Sequence, residues 1–211
     1  MASAPPRPNI PRAADLPLVV DTPRLTLRPL ELGDADALFP YASDSEVSRM
    51  MSWDPHKDRK DTVAFLERMI AAREAGTSVG WAIVVGGAPV GVISLDGITW
   101  HFRAWRIDRA EMGYWLGRPH WGKGLMSEAA TAALRFAFET LGLHKVTIGC
   151  IEGNEASRAI IEKLGFRFLA MYQDDFFRFS RWWDHRRYEL TAAEWADSTR
   201  TLRFHRPVSP A

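Results

Sequence analysis

Between Gly113 and Ala130 the chain reads GYWLGRPHWGKGLMSEAA, an apolar strand that runs through a glycine-spaced turn straight into an amphipathic helix. That connection constrains the fold more than any other stretch, because it has the build of an anion cradle. Gly122 and Gly124 carry no side chains to block a ligand, and a helix starting near Leu125 turns its free N–H groups and positive dipole end toward the same loop. Spacing narrows the choice of anion. A P-loop needs Gly-Lys-Ser/Thr so that a hydroxyl can hold Mg²⁺, yet Lys123 is followed by Gly124 and Leu125. The dinucleotide pattern G-x-G-x-x-G fails as well, since Ser127 stands where the third glycine belongs.

What remains resembles the acyl-CoA pyrophosphate loop of the GNAT N-acetyltransferase superfamily, Gln/Arg-x-x-Gly-x-Gly/Ala between a strand and a helix. Gly122 and Gly124 match it, while the first position falls on Pro119, with Arg118 one residue early. GYWL, GKG and SEA look like the RimJ/RimL branch, which acetylates protein N-termini. Three other segments are similar to that branch in the same order: DTPRLTLRPLELGDADAL to its opening strand and helix, GNEASRAIIEKLGF (153–166) to its second cofactor motif, and WDHRRYELTAAEW (183–195) to its closing strand. The resemblance implies an α/β (α+β) GNAT fold, a mixed and mostly antiparallel sheet flanked by helices. It also implies a V-shaped splay between two central parallel strands.

Composition is compatible with that reading. A chain of 211 residues, 46% apolar and 25% charged, is enough for one globular domain with a full core. The boundaries expected are 21–203, with a proline-rich tail before it and a short tail, 204–211, after it. A net charge of +1 argues against nucleic acid or a membrane surface as partner. Cys150, the single cysteine, cannot form an internal disulfide and reads as a small buried side chain in HKVTIGCI. With no apolar run near ~18 residues and no signal-peptide core, a cytoplasmic protein is expected.

Periodicity supplies the elements. Leu25 and Leu27 alternate as in a strand, and helices follow from about Asp34, with Pro40 shortening the first. Asp61 reads as the N-cap of a helix through Val63, Leu66 and Ile70 that stops at Gly76. Strands 81–85 and 89–95 flank the hairpin signal Gly86-Gly87, and a third covers about 109–117. After the loop, Leu125, Ala129, Ala132, Phe136 and Ala137 share a helix face. A strand at 144–151, a helix at about 155–164 and strands at 166–171 and 182–190 follow. Thr191 and Glu194 form a capping box for a terminal helix.

The resemblance also assigns roles. Acetyl-CoA is the expected cosubstrate and an amine, such as a protein N-terminus, the acceptor, attacked directly in a ternary complex. Pantetheine would pair with the backbone of Trp115, Leu116 and Gly117 as an added strand does. The Leu116 N–H would hold the oxyanion. Trp121, Gly122, Lys123, Gly124 and Leu125 would surround the pyrophosphate, with Lys123, Arg118 and Arg158 as nearby cations. Tyr114, Trp115 and Trp121 are also readable simply as core. Glu111 is expected as the general base, the alternative being a carboxylate paired across strands with an arginine; Asp108 and Asp96 are weaker candidates.

Ile161 occupies the place where many relatives carry a tyrosine acid. Asn154 and Ser157 have the spacing of the RimJ/RimL branch, so Asn154 would fix the pantetheine arm while capping a helix. Ser157 would protonate or hydrogen-bond the leaving thiolate, or else simply pack. His120 and His185 read as structural histidines, with no metal site expected. Phe176, Phe177, Phe179, Trp182 and Trp183 could line the acceptor groove, fill the core or form a homodimer contact. Two other readings stay open: a small-molecule amine as acceptor, and a catalytically silent acyl-CoA-binding module.

Overall fold

Leu25 and Leu27 are buried where β2 (Thr26–Pro29) enters the sheet. The computed structural model describes residues 16–197; most of both expected tails lies outside the described residues. Before β2 comes the two-residue β1 (Val20–Asp21), and after it α1 (Ala35–Ala42), α2 (Ser45–Ser48) and α3 (Arg59–Glu74). A meander of β3 (Val79–Val85), β4 (Ala88–Phe102) and β5 (Trp105–Leu116) leads through the glycine loop into α4 (Leu125–Arg135). Next are β6 (Lys145–Ile151), α5 (Glu155–Lys163), β7 (Arg167–Arg178) and β8 (Arg181–Thr191).

The eight strands form one sheet in the order β1-β2-β3-β4-β5-β6-β8-β7. Every neighbouring pair is antiparallel except β5 and β6, which are parallel. Alternation along β5 sorts its side chains into two layers. Ala110, Met112 and Leu116 join Ala129, Ala133 and Leu134 of α4 in the larger core. Trp115 turns to the opposite face and packs with Leu38 of α1 and Leu66 of α3. Burying side chains such as Leu66 or Leu134, both fully enclosed, stabilises the fold by ~1.5–3 kcal/mol each. The sheet therefore has a face covered by α4 and α5 and a face covered by α1 and α3.

Several boundaries differ from the sequence expectation, each for a local reason. Asp58 rather than Asp61 caps α3, its carboxylate accepting from the N–H groups of Lys60 and Asp61. Asp61 lies in the first turn and accepts from the Lys57 N–H at 2.7 Å. Strands β4 and β5 run well past 95 and begin well before 109 because their outer ends form an exposed ribbon. There Phe102 and Trp105 face solvent and the pattern of burial fails. Likewise β7 continues to Arg178 through an irregularity between Tyr172 and Phe176, with Asp174 at φ 51°. The Thr191–Glu194 capping box is present, with Glu194 accepting from the Thr191 N–H at 2.8 Å, and a helix covers 192–197.

Candidate functional site

Strands β5 and β6 pair over three positions only, Arg109 with Lys145, Ala110 with Val146 and Glu111 with Thr147. Beyond Glu111 each strand follows its other neighbour, β5 along β4 and β6 along β8, so the two diverge and open a slot. The Gly117 N–H donates to the Val90 carbonyl at 2.8 Å. Because N–H directions alternate along a strand, the Leu116 N–H points away from β4 and into the slot. Leu116 is thus placed where a backbone donor could meet a developing oxyanion. The rest of the stretch is less available than expected for pantetheine, since the indole of Trp121 donates to the Leu116 carbonyl at 2.6 Å.

The glycine loop closes one end of the slot. Gly122 and Gly124 sit at φ 69° and 72°, in the left-handed region that favours glycine. Gly124 is the N-cap of α4 and offers no capping side chain, so the first-turn N–H groups remain directed at whatever occupies the loop. This arrangement fits a pyrophosphate. The loop is held from outside: Arg24 Nη1 donates to the Lys123 carbonyl at 2.8 Å and Arg24 Nε to Glu128 Oε2 at 2.6 Å. Of the three cations expected nearby, Arg118 pairs with Asp44 at 3.1 Å and Arg158 with Glu155. Lys123 has no carboxylate partner among the described residues.

On the face covered by α4 and α5, Tyr114 Oη lies 3.0 Å from Ser157 Oγ. Burial pushes the Tyr114 phenol up to about 12, against the Ser157 hydrogen bond, so it stays protonated at neutral pH. Asn154 caps α5, its Oδ1 accepting from the Ser157 N–H at 3.2 Å. Ile161 is fully buried. Cys150 is buried as expected, and burial pushes its thiol up to about 11, leaving it a poor nucleophile. Of the three ring residues readable as core, Trp115 is buried, Tyr114 half-buried and Trp121 46% exposed.

Between the diverging strands lies a cleft of about 760 Å³, lined by Tyr114, Asn154 and Ser157 on this side and by residues of the opposite face on the other. Glu111 lines it with Arg187, whose Nη1 donates to Glu111 Oε1 at 2.9 Å. The ion pair weighed as an alternative for Glu111 is therefore present; the carboxylate would have to leave Arg187 to take up a proton. Asp96 also lines the cleft, and its oxygens accept from Ser78 and Ser94 at 2.5 Å each. Asp108, buried and paired with Arg106, lies outside the cleft lining. His185 lines the cleft from β8, with Nδ1 3.0 Å from Asp175 Oδ2.

A strap between α2 and α3 forms the cleft's rim through Met50, Met51 and Ser52. Arg178, at the tip of the β7–β8 hairpin, fastens it by donating to the carbonyls of Ser48, Met51 and Trp53 and to Asp54 Oδ1. The expected aromatic cluster sits on this hairpin. Phe176, Phe177, Phe179 and Trp182 are 44 to 62% exposed and so do not fill the core; Phe176 and Phe177 line the cleft. His120, by contrast, stays away from the cleft, beside the Tyr41 hydroxyl at 3.3 Å.

Sequence reasoning did not single out Arg178, and it named Tyr114 and His185 without their partners. Tyr114 falls in step with Met112 and Leu116, which was the signal that its ring turns toward α5. His185 and Arg178 meet partners far away in the chain, which spacing does not reveal.

The model of the acetyltransferase (GNAT) domain family matches residues 24–167. The N-acetyltransferase p20 of Bacillus licheniformis is 33% identical over 157 residues, covering 72% of this chain and 84% of that protein. The ribosomal protein uS5-alanine N-acetyltransferase of Escherichia coli is 33% identical over 84 residues, 40% of this chain and 43% of that one. Among solved structures, RimL, a ribosomal L7/L12 alpha-N-protein acetyltransferase in complex with coenzyme A, superposes with a TM-score of 0.75. It shares 19% identity over 82% of this chain and 97% of that one.

Proposed function

We propose that this chain, which belongs to the GNAT acetyltransferase family and uses acetyl-CoA as cosubstrate, acetylates the α-amino group of a protein or peptide N-terminus. The observation carrying this reading is the continuity of the cleft with an exposed aromatic surface. Phe176 and Phe177 begin inside the cleft, and Phe177 stacks edge-on against Trp182 outside it at 5.4 Å. A small amine needs no such landing surface, whereas the residues after an N-terminus do. The likeness to a ribosomal protein uS5-alanine N-acetyltransferase supports the same class. An acceptor of that kind and a need for acetyl-CoA support a cytoplasmic location.

The slot divides the work between the two faces of the sheet. Ser157, backed by the protonated Tyr114, donates to the departing sulfur, while the Leu116 N–H stabilises the oxyanion. Asn154, Lys123 and Arg158 lie along the path of the cofactor arm and phosphates, and Trp121 borders it. Amine deprotonation is assigned to the cleft wall that carries Glu111 and His185, since Asp96 there is held by Ser78 and Ser94. The α-amine suits either one: with a pKa of ~7.7–8.0 it costs about 1 kcal/mol to deprotonate at pH 7, against ~4–5 for lysine.

The test uses peptides of one sequence with either the N-terminus or the lysine blocked, incubated with acetyl-CoA and mapped by mass spectrometry. Acetylation at the free N-terminus is expected. Predominant lysine acetylation would reject the preference, and inert peptides beside a rapidly modified small amine would assign a small-molecule acceptor.

A further inference from the structure

An amine entering the cleft needs a group to take its proton, and there Glu111 is already engaged by Arg187. We infer that His185, held by Asp175, is the general base of this transferase, an assignment that rests on the acetyl-transfer reading but on no particular acceptor.

Geometry selects the residue. His185 and Arg187 alternate with Tyr188 and Leu190 of the larger core, so the imidazole faces the cleft. The ring is only 6% exposed. Its Nδ1 lies 3.0 Å from Asp175 Oδ2, and Phe176 packs edge-on at 4.9 Å. A carboxylate at Nδ1 fixes the proton there and leaves the lone pair on Nε2. Among the described residues Nε2 has no hydrogen-bond partner. Space for the ring comes from Gly149 of β6, where any Cβ would overlap Nε2 and Cε1. A histidine oriented by a carboxylate, with its second nitrogen unpartnered beside Gly149 at the cleft wall, is an arrangement suited to a base.

Burial keeps the imidazole neutral. Burial, the largest influence, holds His185 below the ordinary histidine value, and Arg187 acts in the same direction. Asp175 of β7 and Glu111 of β5 oppose them without reversing the outcome. His185 is therefore unprotonated at neutral pH and free to accept. As the amine nitrogen bonds to the acetyl carbon and the carbon–sulfur bond breaks, one amine proton passes to Nε2. The sulfur receives a proton from the Ser157–Tyr114 pair; water in the open cleft then removes one proton and restores the other.

The experiment compares wild type, His185→Gln and Asp175→Asn with whichever amine wild type acetylates best. His185→Gln is expected to lower kcat about 10²-fold and to abolish the rise of kcat with pH below ~6.5. Affinity for CoA measured by calorimetry should stay within about threefold. Independently of turnover, NMR titration of the His185 ring should show a midpoint below ~6.5 that falls further in Asp175→Asn. Since Asp175→Asn leaves the ring in place, it reports even if His185→Gln folds poorly. Activity within threefold in a folded His185→Gln with the pH limb intact would overturn the assignment, as would a ring midpoint unaffected by Asp175. An N-terminus failing as acceptor would touch only the proposed substrate class.

Discussion

Tyr114 Oη and Ser157 Oγ are 3.0 Å apart, which couples the strand entering the glycine loop to the first turn of α5. The phenol stays protonated because burial pushes it up to about 12. A protonated partner lets Ser157 donate outward while accepting from, or sharing with, the phenol.

Ser157→Ala is expected to reduce kcat by about 10²-fold while leaving the apparent acetyl-CoA constant within a few fold, because the donor acts on charge that develops in the transition state. Tyr114→Phe should give a smaller loss in the same parameter. Single-turnover kinetics, which isolates the chemical step, makes the comparison. Equal rates for wild type and Ser157→Ala would return the serine to packing.

Gly124→Val should weaken CoA binding by roughly 1–3 kcal/mol. Its left-handed backbone, φ 72°, disfavours a β-branched residue, and the new side chain would also intrude where phosphate must approach. Calorimetric titration with CoA, on protein whose circular dichroism matches wild type, reads the effect. Unchanged affinity would remove the loop from the phosphate site.

Arg178→Met should raise the KM for the acceptor several-fold with little change for acetyl-CoA, since Arg178 fastens the strap that carries Met50, Met51 and Ser52. Losing donors to three carbonyls should also cost about 1–2 kcal/mol of stability, or ~2–8 °C in Tm for a chain of this size. Thermal melts and bisubstrate kinetics check the two parts separately. A fall in Tm without any change in acceptor KM would make the strap merely structural.

Glu128 gives a pH-dependent contribution. Burial alone would raise its pKa, but hydrogen bonds from Thr22 and Arg24 together hold it below the ordinary glutamate value. A depressed folded value means stability that is present above the unfolded pKa and lost as pH falls through the folded one. Glu128→Gln should therefore lower Tm at pH 7, with the difference from wild type shrinking below about pH 4. A difference that is constant from pH 7 to pH 3 would show that the Arg24–Glu128 pair contributes nothing through charge.

Much of this molecule could be read along the chain wherever a residue's partner is local. Gly122 and Gly124, the capping pair Thr191 and Glu194, and Asn154 above Ser157 were all legible because each acts within one turn or loop. The hairpin at Gly86-Gly87 was legible too, both residues having positive φ, 59° and 83°. Burial periodicity located the strands but failed at their ends, where Trp105 and Phe177 are exposed and no core imposes alternation. The cleft face was the least legible part. Glu111 meets Arg187, His185 meets Asp175 and Arg178 meets Ser48 only after the sheet has brought β5, β7, β8 and the α2–α3 strap together. Reading His185 as structural followed from its lack of a nearby partner in sequence; Asp175 is supplied from the neighbouring strand.

Cofactor and acceptor are expected to approach one slot from opposite faces of the sheet. A crystal structure with CoA and an N-terminal peptide tests this most directly. The pyrophosphate is expected on the Gly122–Leu125 loop, the sulfur within hydrogen-bonding distance of Ser157 Oγ, and the peptide amine in the cleft beside His185 Nε2. Pantetheine lying outside the β5–β6 slot, or an amine bound on the same face as Ser157, would contradict it.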